Sequence, residues 1–383
     1  MKASLGEKRI IGLFPELLGV GGVQEAGRQT AAALQEIALA NGWDTYFLSL
    51  NDAPGAQSFA AGERTISFHG FGRSKKRFVL SAIYQARKGV GLILAAHPHM
   101  ALPAAWMGSV SPRVKKIVMS HGVEVWKPLP RLRRNALRGA DLVMAPSSDT
   151  ARRLADVQGV SPEKIRTLAW PLNPTFLRWA DAPAELPLPK GFPRGQIILA
   201  VGRWAASERY KGADELIGAV AQLRGAFPGL HLVAVGGGDD LLGLQKLASQ
   251  FGVADCVHFL ECVSREELAG CYARADVFAL PSTGEGFGLV FLEAMAFGRP
   301  VVAAACGGTI DLVEDGVNGL LVPPRDTARL AEALGRLLRD GALRGELGRR
   351  GAEIVRRKFQ FGVFRAGLEK ILAECGLDSC RPA

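Results

Sequence analysis

The chain has 383 residues, of which 48% are hydrophobic and 22% are charged; this ordinary globular composition excludes disordered and fibrous proteins, and the length suits two domains. It contains no run of about 18 uncharged apolar residues, so we expect no transmembrane helix. The polar segment 1–8 lacks the apolar core of a signal peptide. We therefore predict a cytoplasmic protein.

The net charge of +10 is unevenly distributed, because residues 1–180 contain 24 Lys and Arg against 12 Asp and Glu. The excess forms four clusters: Arg73, Lys75, Lys76 and Arg77; Arg87 and Lys88; Arg113, Lys115 and Lys116; Arg131, Arg133, Arg134 and Arg138. Any one cluster is an ordinary solvated surface, but four in one half indicate an anionic partner. No aromatic-interleaved basic motif or zinc spacing favours nucleic acid. We expect an anionic membrane surface, which would place the protein peripherally on the inner face of the membrane.

The first half alternates strands and helices, a pattern typical of a parallel sheet covered on both faces. Apolar runs predict strands at 8–14, 45–50, 64–68, 91–95, 116–120, 141–145 and 164–168. Helical periodicity predicts helices at 23–39, 77–88, 129–138 and 148–157.

A proline-rich segment without periodicity, 183–193, indicates a linker, which we place at 181–195. A second alternating run follows, with strands predicted at 196–201, 230–235, 256–260, 276–280, 300–305 and 319–322, and closing helices at 326–339, 341–357 and after Phe361. We therefore predict an α/β protein of two doubly wound, Rossmann-like domains, 1–180 and 196–360, facing a central cleft at the carboxyl ends of their strands.

The most informative stretch is 281–300, which passes from an apolar strand through a glycine-rich turn into a helical pattern. It contains Glu285 in the turn and Glu293 in the helix. Eight helical steps would separate the two by roughly 12 Å along the axis. A glycosidase acid/base pair needs about 5–9.5 Å, so we expect these glutamates to hold opposite ends of one elongated ligand. The free amides at the helix start suit an anion such as a phosphate between them.

The first glycine-rich turn resembles a dinucleotide fingerprint but departs from it at Gln24, where the third glycine would fall. A nicotinamide enzyme is therefore disfavoured. Two readings of Gly21 and Gly22 remain open: a loop whose amides approach a phosphate or sugar, and a plain tight turn.

Four further groups follow predicted strands. His121, followed by a glycine, occupies a position typical of ligand-binding residues, whereas His97 and His99 lack a third metal ligand, so we expect no metal site. Arg203 and Lys211 suit a diphosphate, with surface salt bridging as the alternative. A glycine turn, Gly307-Gly308, offers amides to an anion or a sugar hydroxyl.

The chain lacks the Gly-x-Ser-x-Gly, Walker-type and His-Glu-x-x-His motifs of serine hydrolases, nucleotide hydrolases and zinc proteases. Its six cysteines show no Cys-x-x-Cys spacing, and we expect buried, reduced thiols: Cys256, Cys262, Cys271, Cys306, Cys375 and Cys380.

These motifs together resemble a known family. The block Pro281-Ser282-x-x-Glu285-Gly286-Phe287-Gly288-Leu289-x-x-x-Glu293-Ala294-Met295-Ala296-x-Gly298-x-Pro300-Val301-Val302 is similar to the signature of family 4 glycosyltransferases, retaining enzymes of the GT-B fold. The similarity extends to Val201-Gly202-Arg203, Lys211-Gly212, Gly307-Gly308 and Glu314-x-Gly316-x-Asn318-Gly319-Leu320-Leu321-Val322. It covers the second domain closely and the first loosely.

The resemblance implies roles for the matching positions. Glu293 would bind the ribose of a nucleotide sugar, and Glu285 would hold the transferred sugar with the amides of Phe287 and Gly288. Arg203 and Lys211 would neutralise the diphosphate. The remaining implied contacts are the helix start at Leu289 and Val290 near the diphosphate, His121 near the donor sugar and the Val263 backbone near the base.

Two departures from the family pattern matter. Glu208, Arg209 and Tyr210 lengthen the gap between Arg203 and Lys211. This longer Arg-x7-Lys form, containing Glu-Arg-Tyr-Lys-Gly, resembles enzymes of bacterial surface-polysaccharide assembly and makes Arg209 a rival phosphate ligand. In the second departure, Asn173-Pro174 replaces a frequent Asn-Gly pair, so we assign Asn173 no role.

The resemblance implies transfer of a hexose from GDP-mannose or a UDP-hexose to a glycan or lipid-linked acceptor, with retention and without a cofactor or metal. The first domain would bind the acceptor, and the C-terminal helix, 361–383, would join it; the second domain would bind the nucleotide sugar. A nucleotide-sugar epimerase of the same fold and a non-catalytic nucleotide-sugar-binding protein are the alternatives. The donor, acceptor, linkage and oligomeric state stay open.

Overall fold

A computed structural model describes residues 9–62 and 64–376. The chain divides into two compact units. Unit 1 comprises residues 1–173 with 361–383, and unit 2 comprises residues 174–360. Each unit is built on its own largely parallel sheet with helices packed against it.

Unit 1 alternates strands and helices in these bounds: β1 Arg9–Phe14, α1 Gly22–Ala40, β2 Asp44–Ser49, β3 Gly55–Ala61, β4 Arg64–Gly70, α2 Lys75–Ala86, β5 Leu92–Ala95, α3 Ala101–Val110, β6 Lys115–Met119, α4 Arg131–Arg138, β7 Leu142–Ala145, α5 Ser148–Asp156 and β8 Ile165–Thr167. Within the described residues these strands form an eight-stranded sheet of order β3-β4-β2-β1-β5-β6-β7-β8. Because β2 lies on one side of β1 and β5 on the other, the winding reverses between β1 and β5, where ligands bind in such folds.

One strand of unit 1 was not predicted. β3 pairs antiparallel with β4, opposite Gly70 at one end and Arg64 at the other. Its sequence, Gly-Ala-Gln-Ser-Phe-Ala-Ala, lacks the β-branched residues that favour strands, so pairing with β4 stabilises it rather than its own propensity. The first strand was predicted from residue 8, which lies outside the described residues.

The two faces of the unit 1 sheet bury different helices. Ile11 and Leu13 of β1 pack into one apolar cluster with residues of α2, α3, α4 and α5. Phe14 points to the opposite face, where it lies close to Gly27 of α1. This alternation along β1 follows from the two-residue period of a strand and explains why its run is apolar throughout.

Unit 2 contains the six predicted strands, the helix predicted within 281–300 and the closing helices, together with four helices for which no bounds were predicted, α6 to α9. The elements are α6 Pro174–Asp181, β9 Gln196–Val201, α7 Ala213–Leu223, β10 Leu230–Val235, α8 Leu241–Gln250, β11 Val257–Leu260, α9 Arg265–Arg274, β12 Val277–Leu280, α10 Leu289–Ala296, β13 Val301–Ala304, β14 Gly319–Val322, α11 Thr327–Arg339 and α12 Gly341–Lys358. Its six strands are parallel and lie in the order β11-β10-β9-β12-β13-β14. This is the Rossmann order, with its switch point between β9 and β12.

The boundary between the units lies at 173/174, seven residues before the predicted end of the first domain at 180. The cause is α6, which packs on α9 and α10 of unit 2. Its Phe176 is fully buried against Tyr272 and Phe297. The segment predicted as the linker therefore lies inside unit 2.

The closing helix α13, Phe361–Glu374, belongs to unit 1, where it packs on α1. Residues 377–383 of the predicted helix 361–383 lie outside the described residues. In the part of the chain that is described, no helix is both long and apolar enough to cross a membrane.

Candidate functional site

Three loops of unit 2 meet at the carboxyl ends of β9, β12 and β13. They are residues 202–212, 281–288 and 305–308. β9 and β12 are neighbours on either side of the switch point, which is the position where ligands bind in open α/β sheets. The predicted site residues Arg203, Lys211, Glu285 and the glycine pair 307–308 all lie in these loops.

Glycines let the loop after β12 approach its neighbours closely. A Cβ on Gly284 would lie 2.4 Å from the Tyr210 ring, and one on Gly308 would lie 2.3 Å from the Gly286 carbonyl oxygen. The Gly308 amide donates a hydrogen bond to the Glu285 carbonyl at 2.8 Å. Gly288 has a positive φ of 99° and caps α10. These contacts fix the loop in front of the α10 start, where Leu289 and Val290 occupy the first turn.

Lys211 is the electrostatic centre of the site. Its ammonium lies 3.3 Å from Glu285 Oε1 and 3.8 Å from Glu208 Oε2. The side chains of Lys211 and Glu285 are only 15% and 13% exposed, so water screens this pair weakly. Glu208 also pairs with Arg203, whose side chain is 72% exposed. The structure thus brings both predicted diphosphate ligands together through one carboxylate.

Arg209 is held by two aspartates. Its guanidinium donates to both carboxylate oxygens of Asp240, at 2.8 and 3.1 Å, and to Asp214 at 3.1 Å. Hydrogen bonding to Asp240 and the neighbouring negative charge raise the Arg209 pKa. An anionic ligand would have to compete with both aspartates for this side chain.

Glu293 lies in α10 and accepts a 2.8 Å hydrogen bond from the Tyr272 hydroxyl. Tyr272 is fully buried on α9 and stacks on Phe297. Burial and the negative charge of Glu293 hold the Tyr272 pKa well above its usual range, so the phenol keeps its proton and acts as donor. Sequence reasoning missed Tyr272, because nothing in its local sequence marks a partner 21 positions away.

Val263 lies further from this group. It follows β11, the edge strand, which β10 separates from β9.

Cys262, the residue before Val263, is exposed and has a positive φ of 37°. Prediction of a buried Cys262 was therefore wrong; Cys256, Cys271 and Cys375 are buried as predicted, Cys306 is half-buried, and Cys380 lies outside the described residues.

In unit 1 the loop before α1 ends at Gly21, which has a positive φ of 144°, and Gly22 is the first residue of the helix. Side chains hold this loop from both sides. Asp52 accepts hydrogen bonds from the Leu17 and Leu18 amides at 2.7 and 3.1 Å. Arg28 donates to the Leu17 and Gly19 carbonyls at 2.6 and 3.0 Å.

The α1 helix also carries Glu25, which is buried and accepts hydrogen bonds from Arg28, Gln29 and Asn173. Asn173, which received no predicted role, therefore belongs to the support of this loop. Asp52 and Asn173 are distant in sequence from the loop, and no motif marks them.

His121 lies after β6 in unit 1. Its Nε2 is 2.8 Å from the Ala96 carbonyl oxygen, and its ring stacks near His97 with centroids 5.7 Å apart. Trp170 approaches from another side at 5.5 Å. Ala96 and His97 follow β5, so His121 lies close to the switch point of the unit 1 sheet.

Burial, reinforced by His121, His99 and Arg133, lowers the His97 pKa from 6.5 to about 2. In the folded protein His97 then stays neutral as the pH falls from 6.5 towards about 2, whereas in the unfolded chain it becomes protonated. Because only the unfolded chain then binds this proton, we expect the free energy of unfolding to decrease by up to about 1.4 kcal/mol for each pH unit below about 6.5. Thermal midpoints measured between pH 7 and 5 should fall less steeply in His97→Asn than in the wild type; equal slopes would contradict this expectation.

Among the described residues, no group of three or more His, Cys, Asp or Glu side chains is arranged to hold a metal ion. The His97 and His99 pair is instead engaged internally, since the His99 amide donates to His97 Nδ1 at 3.1 Å.

Comparisons with known proteins give the family. A family described as Glycosyltransferase Family 4 matches residues 20–175, and one described as Glycosyl transferases group 1 matches residues 195–340. The two matches fall on the sheets of unit 1 and unit 2.

Two curated relatives illustrate the similarity. The chain is 35% identical over 288 residues to a GDP-mannose-dependent alpha-(1-6)-phosphatidylinositol monomannoside mannosyltransferase of Mycolicibacterium smegmatis, covering 71% of this chain and 74% of that protein. It is 36% identical over 247 residues to a D-inositol 3-phosphate glycosyltransferase of Acidothermus cellulolyticus, covering 61% of this chain and 54% of that protein. The matched part thus spans about half the length of the second relative.

Solved structures agree in fold. Sucrose-phosphate synthase from Thermosynechococcus elongatus matches with a TM-score of 0.75 and 26% identity, covering 96% of this chain and 98% of that one. HepE from Anabaena, solved with UDP, matches with a TM-score of 0.73 at 21% identity, covering 96% and 100%, and supports the fold alone. The predicted fold class is confirmed, and the chain belongs to glycosyltransferase family 4 with the GT-B fold.

Proposed function

We propose that the protein is a retaining glycosyltransferase that moves a hexose from a nucleoside-diphosphate sugar to a glycan or lipid-linked acceptor in bacterial polysaccharide or glycolipid biosynthesis. One observation carries the proposal. Lys211, Arg203 and Glu285 meet at the switch point of unit 2, beside the amino-terminal turn of the helix that carries Glu293. Cations at a helix start suit a diphosphate, and flanking carboxylates suit the hydroxyls at its two ends.

In this proposal each group holds one part of the donor. Glu293, oriented by Tyr272, accepts hydrogen bonds from the ribose hydroxyls. Arg203 and Lys211 neutralise the diphosphate with the first amides of α10. Glu285 and the adjoining amides of Phe287 and Gly288 bind the sugar.

The remaining predicted residues have peripheral parts in the proposal. Val263 would meet the base through its backbone, and Gly307 and Gly308 support the loop that carries Glu285. Gly21, Gly22 and His121 would serve the donor sugar or the acceptor from unit 1. We propose Lys211 as the main phosphate ligand, because it contacts Glu285 in the loop before α10, whereas Arg209 is bound to Asp240 and Asp214.

The reaction breaks the bond between the anomeric carbon and the β-phosphate oxygen and forms one from that carbon to the acceptor oxygen. Retention requires attack on the face that the phosphate leaves, and the departing phosphate oxygen takes the acceptor proton. Negative charge grows on the diphosphate as the bond breaks, so Lys211 and Arg203 stabilise the transition state more than the bound substrate. Since these cations supply positive charge, we propose a reaction that needs neither a metal nor another cofactor.

For the donor we place GDP-mannose before a UDP-hexose, because a relative 35% identical is named as GDP-mannose-dependent. For the acceptor we propose an anionic, lipid-linked molecule, since two relatives are named for acceptors built on inositol phosphate or phosphatidylinositol. The inserted Glu208-Arg209-Tyr210 supports placement among surface-polysaccharide enzymes.

A lipid-linked acceptor calls for a membrane-facing surface, and we propose that α2, α3 and α4 form it. Helix α3 packs between α2 and α4, so the three present one continuous face. Large apolar side chains are exposed on each of them: Leu80 and Tyr84 on α2, Trp106 and Val110 on α3, and Leu132 on α4. Two of the basic clusters lie at the two ends of α2, and a third lies on α4. In the remaining cluster, Arg113 follows α3, and Lys115 and Lys116 lie at the start of β6. We propose that this surface places a cytoplasmic protein on the inner leaflet.

The membrane proposal predicts binding to vesicles that contain anionic phospholipid. Each basic residue near such a surface contributes about 1 kcal/mol, so reversing Lys75 and Lys76 to Glu should weaken binding by more than about tenfold. Flotation at physiological salt measures the bound fraction. As a matched control, Arg349 and Arg350 of unit 2 are reversed, with binding expected to persist. Equal flotation with neutral and anionic vesicles, or equal loss in both variants, would contradict the proposal.

The transferase proposal is tested by supplying GDP-mannose and UDP-hexoses with and without lipid-linked acceptors. We expect acceptor-dependent release of the nucleoside diphosphate, and NMR of the product should show the donor's anomeric configuration retained. Epimerised nucleotide sugar would instead indicate an epimerase. Donor binding with no turnover for any acceptor would indicate a non-catalytic binding protein.

A further inference from the structure

Glu208 occupies an unusual position between the two cations of the phosphate subsite. It lies in a helical turn of the 3-10 type, Ala206–Lys211, where its own φ and ψ of −118° and 24° interrupt the helical conformation. The residue is 9% exposed. One carboxylate oxygen pairs with Arg203, and the other lies 3.8 Å from the Lys211 ammonium. Each oxygen thus faces one of the two proposed diphosphate ligands.

The turn around Glu208 is anchored independently of this carboxylate. Arg209 ties it to Asp240 through two hydrogen bonds. The Tyr210 carbonyl accepts the Thr283 amide at 2.7 Å, and the Tyr210 ring covers Gly284. None of these contacts involves the Glu208 carboxylate, so they remain when it is removed or displaced.

The charges of this side-chain cluster balance. Arg203 and Lys211 contribute two positive charges, and Glu208 and Glu285 contribute two negative charges. Without Glu208, Arg203 would lose the carboxylate with which it pairs, and Lys211 would keep Glu285 while facing a like charge from Arg203. A diphosphate presents oxygens to the same two cations, and it carries more charge than the single carboxylate that it would replace.

We propose that Glu208 is the resident counter-ion of the diphosphate subsite. It holds Arg203 and Lys211 side by side in the empty protein, yields both to the diphosphate when the donor binds, and pairs with them again as the nucleoside diphosphate leaves. This inference rests on the proposed function, and it assigns a role to each residue of the inserted Glu208-Arg209-Tyr210. Glu208 supplies the exchangeable anion, and the other two residues fix the turn that carries it.

Glu208→Gln tests the inference, because the amide keeps the size of the side chain and removes the competing charge. We expect GDP or UDP, whichever binds the wild type, to bind about tenfold more tightly in Glu208→Gln at low ionic strength. The gain should be smaller for the nucleoside monophosphate and absent for the uncharged nucleoside. Product inhibition by the diphosphate should strengthen by the same factor. Isothermal titration calorimetry and inhibition kinetics measure these quantities.

Two further variants complete the experiment. Glu332→Gln removes an exposed carboxylate from α11 with the same change in net charge, and its diphosphate affinity should match the wild type. Glu208→Asp keeps the negative charge on a shorter side chain, so its affinity for the diphosphate should fall between those of the wild type and Glu208→Gln. It also tests the inference if Glu208→Gln fails to fold.

The outcomes separate this inference from the proposed function. Unchanged or weaker diphosphate binding in a folded Glu208→Gln, or in Glu208→Asp if only that variant folds, would overturn the counter-ion role alone. An equal gain in diphosphate affinity in Glu332→Gln would show that the effect follows net charge alone, and it would also overturn the counter-ion role. If neither diphosphate binds even the wild type, the proposed function itself fails.

Discussion

Glu293→Ala is expected to weaken donor binding by roughly 10- to 100-fold, because it removes charged hydrogen bonds to the ribose, each worth about 1.5–3 kcal/mol. The rate of the bound-state reaction should change less, since the ribose is remote from the bond that breaks. Titration of the nucleoside diphosphate gives the affinity, and single-turnover kinetics gives the chemical rate. A large loss of rate with unchanged affinity would overturn the assignment.

Tyr272→Phe supplies a graded control for that experiment. It keeps the buried ring and removes only the hydroxyl that donates to Glu293 at 2.8 Å. We expect a smaller loss of affinity than in Glu293→Ala, together with weaker discrimination between ribose and 2′-deoxyribose nucleotides. Because Glu293→Ala leaves the buried Tyr272 hydroxyl without this acceptor, Glu293→Gln should be measured beside it to separate lost stability from lost binding.

Lys211→Met is expected to lower kcat by about 100- to 1,000-fold, since loss of one fixed charge that stabilises a developing anion has an effect of this size. The ammonium is largely buried between Glu285 and Glu208, where charge interactions are strong. Steady-state kinetics with saturating donor and acceptor measures the loss.

Arg209→Met is the matched control, because it removes the same charge two residues away. Arg209 is committed to Asp240 and Asp214, so we expect less than about a tenfold effect on kcat, with some loss of stability from the freed aspartates. A larger loss of kcat in Arg209→Met than in Lys211→Met would make Arg209, rather than Lys211, the main phosphate ligand.

Sequence periodicity predicts the strands of unit 2 well, because the central parallel strands β12 and β13 are fully buried and are uninterrupted apolar runs. It fails for β3, which depends on its pairing with β4, and for α6, whose attachment to unit 2 depends on the burial of Phe176 against distant aromatic residues. Both errors arise because tertiary contacts, rather than local sequence, decide the outcome.

In the candidate site, too, some residues can be predicted from local sequence and others only from tertiary contacts. Residues that lie at strand ends or in glycine turns, such as Lys211 and Glu285, are visible as motifs. Glu208 lies in the inserted Glu208-Arg209-Tyr210, but the motif does not indicate its contacts, and Tyr272, which contacts Glu293, carries no local signature. Only the structure shows that Glu208 touches both cations and that Tyr272 reaches Glu293.

Calorimetric titration of GDP and UDP into the wild-type protein, Glu293→Ala and Lys211→Met tests the central claim most directly. We expect one of the two nucleotides to bind the wild type, and both variants to bind it at least about tenfold more weakly while retaining the wild-type circular dichroism spectrum. If neither nucleotide binds the wild type, or if both folded variants bind as tightly as the wild type, unit 2 does not hold the donor at the carboxyl ends of β9, β12 and β13.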